Sequence, residues 1–273
     1  MSKSGLPGPP PTKYTAPLGH SIIALSYPIT DEATANAWVE HLDFVSSATE
    51  QHDAILIVPF SDIDQATTFA QFAKVKASYR VVTVCYHGAT GFEPDIAAGV
   101  AAAISAELDP AVPFNGIKLP NLPVVTADKR LTRTRIEQAL NKGVAVIGLD
   151  AQDDPAIVRL ISTYQVDANG SPDDLLLDIN GALVLRYVRQ DIRTAVMANP
   201  RRKNTIATRK DLRSLMLERC LKLELAEILQ NVTGRQKELT VVEDLNDRTR
   251  ANAQIPADWV RGMHIVANTL NVY

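Results

Sequence analysis

Ala54–Phe60 reads AILIVPF and Arg80–Tyr86 reads RVVTVCY. Both are continuous apolar runs of strand length, and a strand that is apolar at successive positions has both of its faces covered. A sheet built from such strands needs helices on both sides, which makes it largely parallel. Helical stretches follow each run: Ser61 is read as the cap of one that extends through Ala77, and another runs from Glu93 to Leu108. Working outward toward the N-terminus, Ser21–Ile29 reads as a further strand. Asp31 then opens a helix to Glu50 with apolar positions at Ala35, Trp38, Leu42 and Val45. The expected fold class is α/β, an open, largely parallel sheet flanked by helices, followed by a smaller α+β C-terminal domain.

Toward the C-terminus, Asp109–Asp128 is a proline-rich connection without periodicity, long enough to wrap another surface. Thr132 starts a helix to Lys142, Gly143 stops it, and Val144–Leu149 is a strand. Ala156–Tyr164 (AIVRLISTY) is its hairpin partner across Gln152–Pro155. Composition shifts at Asn169-Gly170-Ser171-Pro172, which puts a domain boundary between Asp167 and Pro172. Beyond it two helices are expected, Asp173–Ala198 and Thr208–Gln230, separated by Pro200 and a basic stretch. Strands follow at Glu238–Glu243 and His264–Tyr273, joined by a polar segment containing Pro256. At the other end, Pro7, Pro9, Pro10, Pro11 and Pro17 make Met1–Gly19 an extended arm. The expected organisation is an arm over 1–19, an α/β domain over 20–167 and a C-terminal domain over 168–273.

The chain has 273 residues, 46% of them hydrophobic, and a net charge of -3, which gives no overall field for nucleic acid or an anionic membrane. Its longest apolar runs fall short of the ~20 residues that span a bilayer, and Met1–Gly19 lacks the basic-then-apolar pattern of a signal peptide. Synthesis in a cytoplasm is expected, with Cys85 and Cys220 as buried free thiols.

Catalytic patterns are sparse. No glycine-rich phosphate loop is present, and Gly88-Ala89-Thr90-Gly91 reads as a turn. Gly19-His20-Ser21 starts a nucleophile elbow, but Ile23 stands where the second glycine belongs. The best enzymatic candidates are His87 and Asp95 near the carboxyl edge of the sheet, with Cys85 as a conceivable nucleophile inside an apolar strand. The five histidines show no zinc spacing, and Asp150, Asp153 and Asp154 read as a solvated turn. No catalytic residue, metal or cofactor is expected.

Two features point to surfaces instead. Arg201, Arg202, Lys203, Arg209, Lys210 and Arg213 form a basic stretch that is either a solvated pair of helix ends or a patch for an acidic partner. In His264–Tyr273, alternation puts Val266, Leu270 and Val272 on one face of a strand. That strand either pairs within its own subunit or completes an edge that accepts a neighbour's strand.

Phe114–Thr194 resembles the contractile tail sheath proteins of Mu-like bacteriophages. The resemblance rests on the Leu-Pro-x-Leu-Pro turn at Leu119–Pro123, the helix start at Leu131-Thr132, the Ile161-Ser162-Thr163-Tyr164 strand and the Asp244–Asp247 turn. The final stretch, VVEDLNDRTRANAQIPADWVRGMHIVANTLNVY, looks like the end of the same family, and Ile55–Leu108 matches more weakly. The resemblance implies a subtilisin-like sheath domain followed by a sheath C-terminal domain, and a structural subunit of the virion tail rather than an enzyme. It implies stacked hexameric rings of the chain with itself around an inner tail tube protein, subunits linked by exchanged strands, and baseplate and tail terminator proteins as further partners. It further implies assembly in the host cytoplasm and contraction that drives DNA delivery without direct nucleic-acid or membrane contact. Arg201, Arg202, Lys203, Arg209 and Lys210 become candidates for tube contact, and Val266, Leu270 and Val272 for the strand-exchange sheet. Family members carry a long N-terminal arm and outer domains, whereas only Met1–Gly19 precedes the first strand here. A reduced sheath, a sheath-derived fragment, or a related cap, initiator or adaptor that does not contract, is the alternative expectation.

Overall fold

The computed structural model describes residues 21–47, 50 and 52–264. These fall into two compact units. The first takes the described residues up to Leu108, Pro113–Ile179, and Met263 with His264; the second takes Asp109–Val112 and Asn180–Gly262.

The first unit is the expected α/β layer. Its strands are β1 (Ile22–Ala24), β2 (Ile55–Phe60), β3 (Val81–Cys85), β4 (Val144–Leu149) and β5 (Pro155–Arg159), in spatial order β1-β2-β3-β4-β5. The first four pair in parallel, and β5 is antiparallel to β4. Four helices cover the sheet: α1 (Glu32–Val45), α2 (Ile63–Ala70), α3 (Glu93–Ala106) and α4 (Arg133–Leu140). Alternation along the strands sorts the two faces. Leu56, Val58 and Phe60 of β2, Val81 and Cys85 of β3, and Val144 and Val146 of β4 join one core with Trp38 of α1, Phe69 of α2 and Ala139 of α4. Ile57, Val82 and Val84 are buried too. Helix α3, which packs on β1, β2 and β3, buries Ile96, Ala97, Val100 and Ile104. Every residue of β2 and β3 is buried, the condition that made their runs continuous.

Local chemistry sets the ends of these elements. The Asp31 and Thr132 side chains accept backbone N–H bonds at the starts of α1 and α4. At α2 the cap is Asp62 rather than Ser61, because the Asp62 carboxylate accepts from the amides of Asp64 and Gln65 while Ser61 Oγ lies 2.5 Å from Glu93 Oε1. Helix α2 stops at Ala70, and only a single 3-10 turn, Val75–Ala77, follows it. Gly143 ends the α4 segment at φ +77, and a Cβ there would meet the Thr163 backbone at 3.2 Å. The hairpin partner of β4 is shorter than expected. It ends at Arg159, after which Thr163 turns away to donate its amide to Val81 O and its hydroxyl to Val75 O and Ser78 O.

In the second unit, α5 (Ile179–Met197) and α6 (Ile206–Leu225) contribute Val184, Val188, Ile192, Met216, Cys220 and Leu223 to a core completed by Leu229, Leu239 and Trp259. The spacing of these positions is helical, so each helix buries one stripe. An Arg219–Asp191 ion pair ties the two helices beside that core. Helix α5 starts later than the expected Asp173, because Asp173 and Asp174 stabilise turns at Leu175 and Leu177. Asn180, 1% exposed, explains how Asp109–Val112 joins this unit: its side-chain amide donates to Pro110 O and Val112 O at 2.9 and 2.7 Å. A short helix α7 (Val232–Arg235) leads to a separate antiparallel pair, β6 (Thr240–Glu243) with β7 (Ala251–Gln254). Strand β6 is the expected one. Strand β7 lies within the polar segment expected to connect β6 to the last strand. No helix among the described residues is long and apolar enough to cross a membrane.

Candidate functional site

The basic stretch divides by its partners. Helix α6 begins at Thr205, whose hydroxyl accepts the Thr208 amide, and its first turns aim Arg209 and Arg213 at the β6 end of the unit. Arg209 Nη1 lies 3.1 Å from Glu243 Oε2 and 2.7 Å from Asn204 Oδ1. Arg213 donates to Leu239 O at 2.7 Å and to Gln236 O at 2.6 Å. These two clamp the approach to β6 onto α6. Arg201, Lys203 and Lys210 are exposed and Arg202 is half-buried, and none of the four side chains has an ion-pair partner among the described residues. Arg202 and Lys203 line an open cleft of about 470 Å3 with Thr205, Thr208 and Asp211. Cations at its mouth and hydroxyls on its wall suit a carboxylate from a partner surface.

The β6–β7 pair is the second surface. Its register runs from Thr240 opposite Gln254 to Glu243 opposite Ala251, and among the described residues it is a sheet of two strands. All four residues of β7 are exposed. The connecting loop is held by its own carboxylates. Asp244 accepts from the amides of Asn246 and Asp247 and from the Asn252 side chain, and Asp247 accepts from the Thr249 hydroxyl and amide. These bonds hold both carboxyls below the usual aspartate range. Residues 240–254 thus form a two-stranded ribbon whose loop is closed by its own carboxylates. The sequence carries little sign of β7, because Ala251–Gln254 (ANAQ) has no apolar alternation; the turn residues at Asp244–Asp247 are the one local signal for a hairpin there. Val266, Leu270 and Val272 lie outside the described residues.

The enzymatic candidates are used structurally. Cys85 is fully buried, and burial pushes its thiol far above the ordinary range, which suppresses the nucleophilic thiolate. His87 Nδ1 accepts the Ile63 amide at 3.3 Å, at the start of α2. Asp95 is exposed in the first turn of α3. Gly88 and Gly91 take φ +87 in the turn before α3. The Asp150–Asp154 turn is closed by protein cations: Lys118 sits 3.0 Å from Asp150 and 2.7 Å from Asp154, and Arg130 pairs with Asp153 at 2.9 Å.

Residues 171–273 match the family described as the phage tail sheath C-terminal domain. The chain is 24% identical over 223 residues to a Mu-like prophage FluMu tail sheath protein of Haemophilus influenzae, covering 76% of this chain and 44% of that protein. It therefore spans less than half the length of that relative. The fold is that of the anti-feeding prophage helical sheath in its contracted state, at TM-score 0.61 and 17% identity over 97% of this chain and 76% of the other. A chain of the anti-feeding prophage baseplate is equally similar, at TM-score 0.63 and 14% identity over 93% and 68% of the two chains. Those two chains come from a helical sheath and a baseplate. The family is structural, not enzymatic. This chain is similar to a Mu-like phage tail sheath protein, and its residues 171–273 match the phage tail sheath C-terminal domain.

Proposed function

We propose that this protein is a lattice subunit of a contractile tail sheath, joined to copies of itself by strand addition at the β6–β7 ribbon. The carrying observation is that ribbon: a two-stranded sheet in the sheath C-terminal domain whose β7 residues are all exposed. Isolated two-stranded sheets are marginal in water, and unpaired strand edges accept further strands. Segments of neighbouring copies would add there, with Val266, Leu270 and Val272 as apolar anchors of the completed sheet. Arg201, Arg202, Lys203 and Lys210 would face the acidic surface of an inner tube, where complementary charge sets register and encounter rate. Arg209 is the weaker tube candidate because Glu243 already neutralises it. In this reading the subunits form stacked hexameric rings in the virion tail, contacting baseplate and terminator proteins at its ends, and contraction is a repacking between two lattice states.

The likeness to a baseplate chain supports a second reading, a sheath-like ring that closes and does not contract. Negative-stain electron microscopy of the purified chain over a concentration series separates the two. Tubes or stacked rings are expected for the sheath subunit, and single closed rings for the baseplate-like protein. Monomers at every concentration would overturn both readings for this chain alone.

A further inference from the structure

At the carboxyl ends of β3 and β4, a cleft of about 250 Å3 opens between Tyr86-His87 and Ile147–Asp150, with Lys129 and Arg130 at its rim. Its lining mixes apolar side chains, among them Val125, Leu131, Ile136 and Leu149, with the charged groups of Lys129, Arg130, Asp150 and Asp153. Parallel sheets commonly place ligands beyond their carboxyl edges, but the chemistry of the lining carries more weight.

Because His87 Nδ1 accepts the Ile63 amide, the neutral ring carries its proton on Nε2, a donor with no partner among the described residues. The Lys129 stem lies over Gly88, where an added Cβ would stand 2.8 Å from both Cβ and Cδ of the lysine. Gly88 also has φ +87. Both its conformation and the lysine packed on it therefore require glycine, and together they hold Lys129 at the mouth. The Lys129 ammonium makes no ion pair among the described residues, whereas the other charges of the cleft are matched: Arg130 with Asp153, and Asp150 with Lys118.

We propose that this cleft binds a monoanionic carboxylate on a small apolar body, the carboxylate taken by Lys129 and His87 Nε2 and the body by the apolar side chains. The volume is below that of ordinary nucleotide or drug-sized sites. Asp150 and Asp153 at the rim disfavour a dianion such as phosphate. The same chemistry has two sources, a free short-chain acid or an acidic side chain of an adjoining protein surface.

Ligand-observed saturation-transfer NMR on the full chain, with butyrate as probe and butyramide and inorganic phosphate as comparisons, tests the site. Butyrate is expected to bind, the amide and phosphate to give little signal, and Lys129→Gln, an exposed substitution, to weaken butyrate by about tenfold or more, as loss of a charge-assisted hydrogen bond does. Arg135→Gln, outside the cleft, should change nothing. Equal signals from butyrate and butyramide, or an unchanged Lys129→Gln protein, would overturn the proposal. An acetylated, amidated Leu-Glu-Leu peptide that competes more strongly than butyrate assigns the carboxylate to a protein surface, and the reverse order assigns it to a free acid. None of these outcomes depends on lattice assembly, so failure here leaves the sheath reading standing.

Discussion

Thr163 shows how much one side chain closes in this fold. Its residue is 0% exposed, and its hydroxyl faces the carbonyls of Val75 and Ser78 at 2.7 and 2.9 Å, just beyond the end of β5. Removing the hydroxyl while keeping the volume leaves those carbonyls without their donor, a loss of about 1–3 kcal/mol. Thr163→Val should lower the free energy of unfolding by that amount in urea titration, with Thr163→Ser falling by less because the donor remains. His41 is a different case. It is 2% exposed beside Trp38, and burial holds its pKa below the ordinary histidine value. The unfolded chain then binds this proton more readily than the folded one. The contribution of His41 to stability is present above its unfolded pKa of about 6.5 and is lost as pH falls below it. His41→Leu should therefore flatten part of the decline in melting temperature between pH 7.5 and 5.5. Parallel declines for the two proteins would refute this.

Among the elements, those buried on both faces were legible and those held by polar pairing were not. Strands β2, β3 and β4 declared themselves because four or more successive positions in each are buried, so apolar composition and strand length coincide. Helices α1 and α4 carried their caps, Asp31 and Thr132, in readable positions. Strand β7 had no such signal: its residues are exposed, and its place is set by pairing with β6 and by Asp244 and Asp247. The basic stretch was legible as charge, but not the division of labour within it, because the partners of Arg209 and Arg213 lie 34 and 26 residues further along the chain. That division is testable. Arg209→Met keeps the apolar stem and removes the bonds to Glu243 and Asn204, so β6 and β7 amides should exchange hydrogen faster by about tenfold, the equivalent of about 1.4 kcal/mol. Exchange in the α1–α4 layer should stay the same, as the substitution lies in the other compact unit. Unaltered exchange at residues 240–254 would mean that Arg209 is not a clamp and returns to the pool of free surface cations.

For the whole molecule, the lattice reading depends on whether the ribbon edge or the cationic surface carries association, and the two respond to different perturbations. Charge-mediated docking on a tube weakens with salt, because exposed charges are screened within about 8–10 Å at physiological ionic strength. Strand addition uses backbone hydrogen bonds and apolar anchors, which salt affects far less. Reversing the charges of Arg201, Arg202 and Lys203 together should leave homopolymer formation intact in light scattering, since no ion pair within the described fold uses them. The ribbon can be probed at the backbone itself. Successive residues of a strand turn their N–H groups to opposite sides, so of Asn252→Pro and Ala253→Pro one removes a donor to β6 and the other a donor on the outer edge of β7. The first should disrupt the hairpin, read as fast exchange over residues 240–254. The second should preserve the monomer fold and lose the polymer. If both variants polymerise like the parent chain, the β7 edge is not the junction, and the linking strands belong on another edge of the molecule.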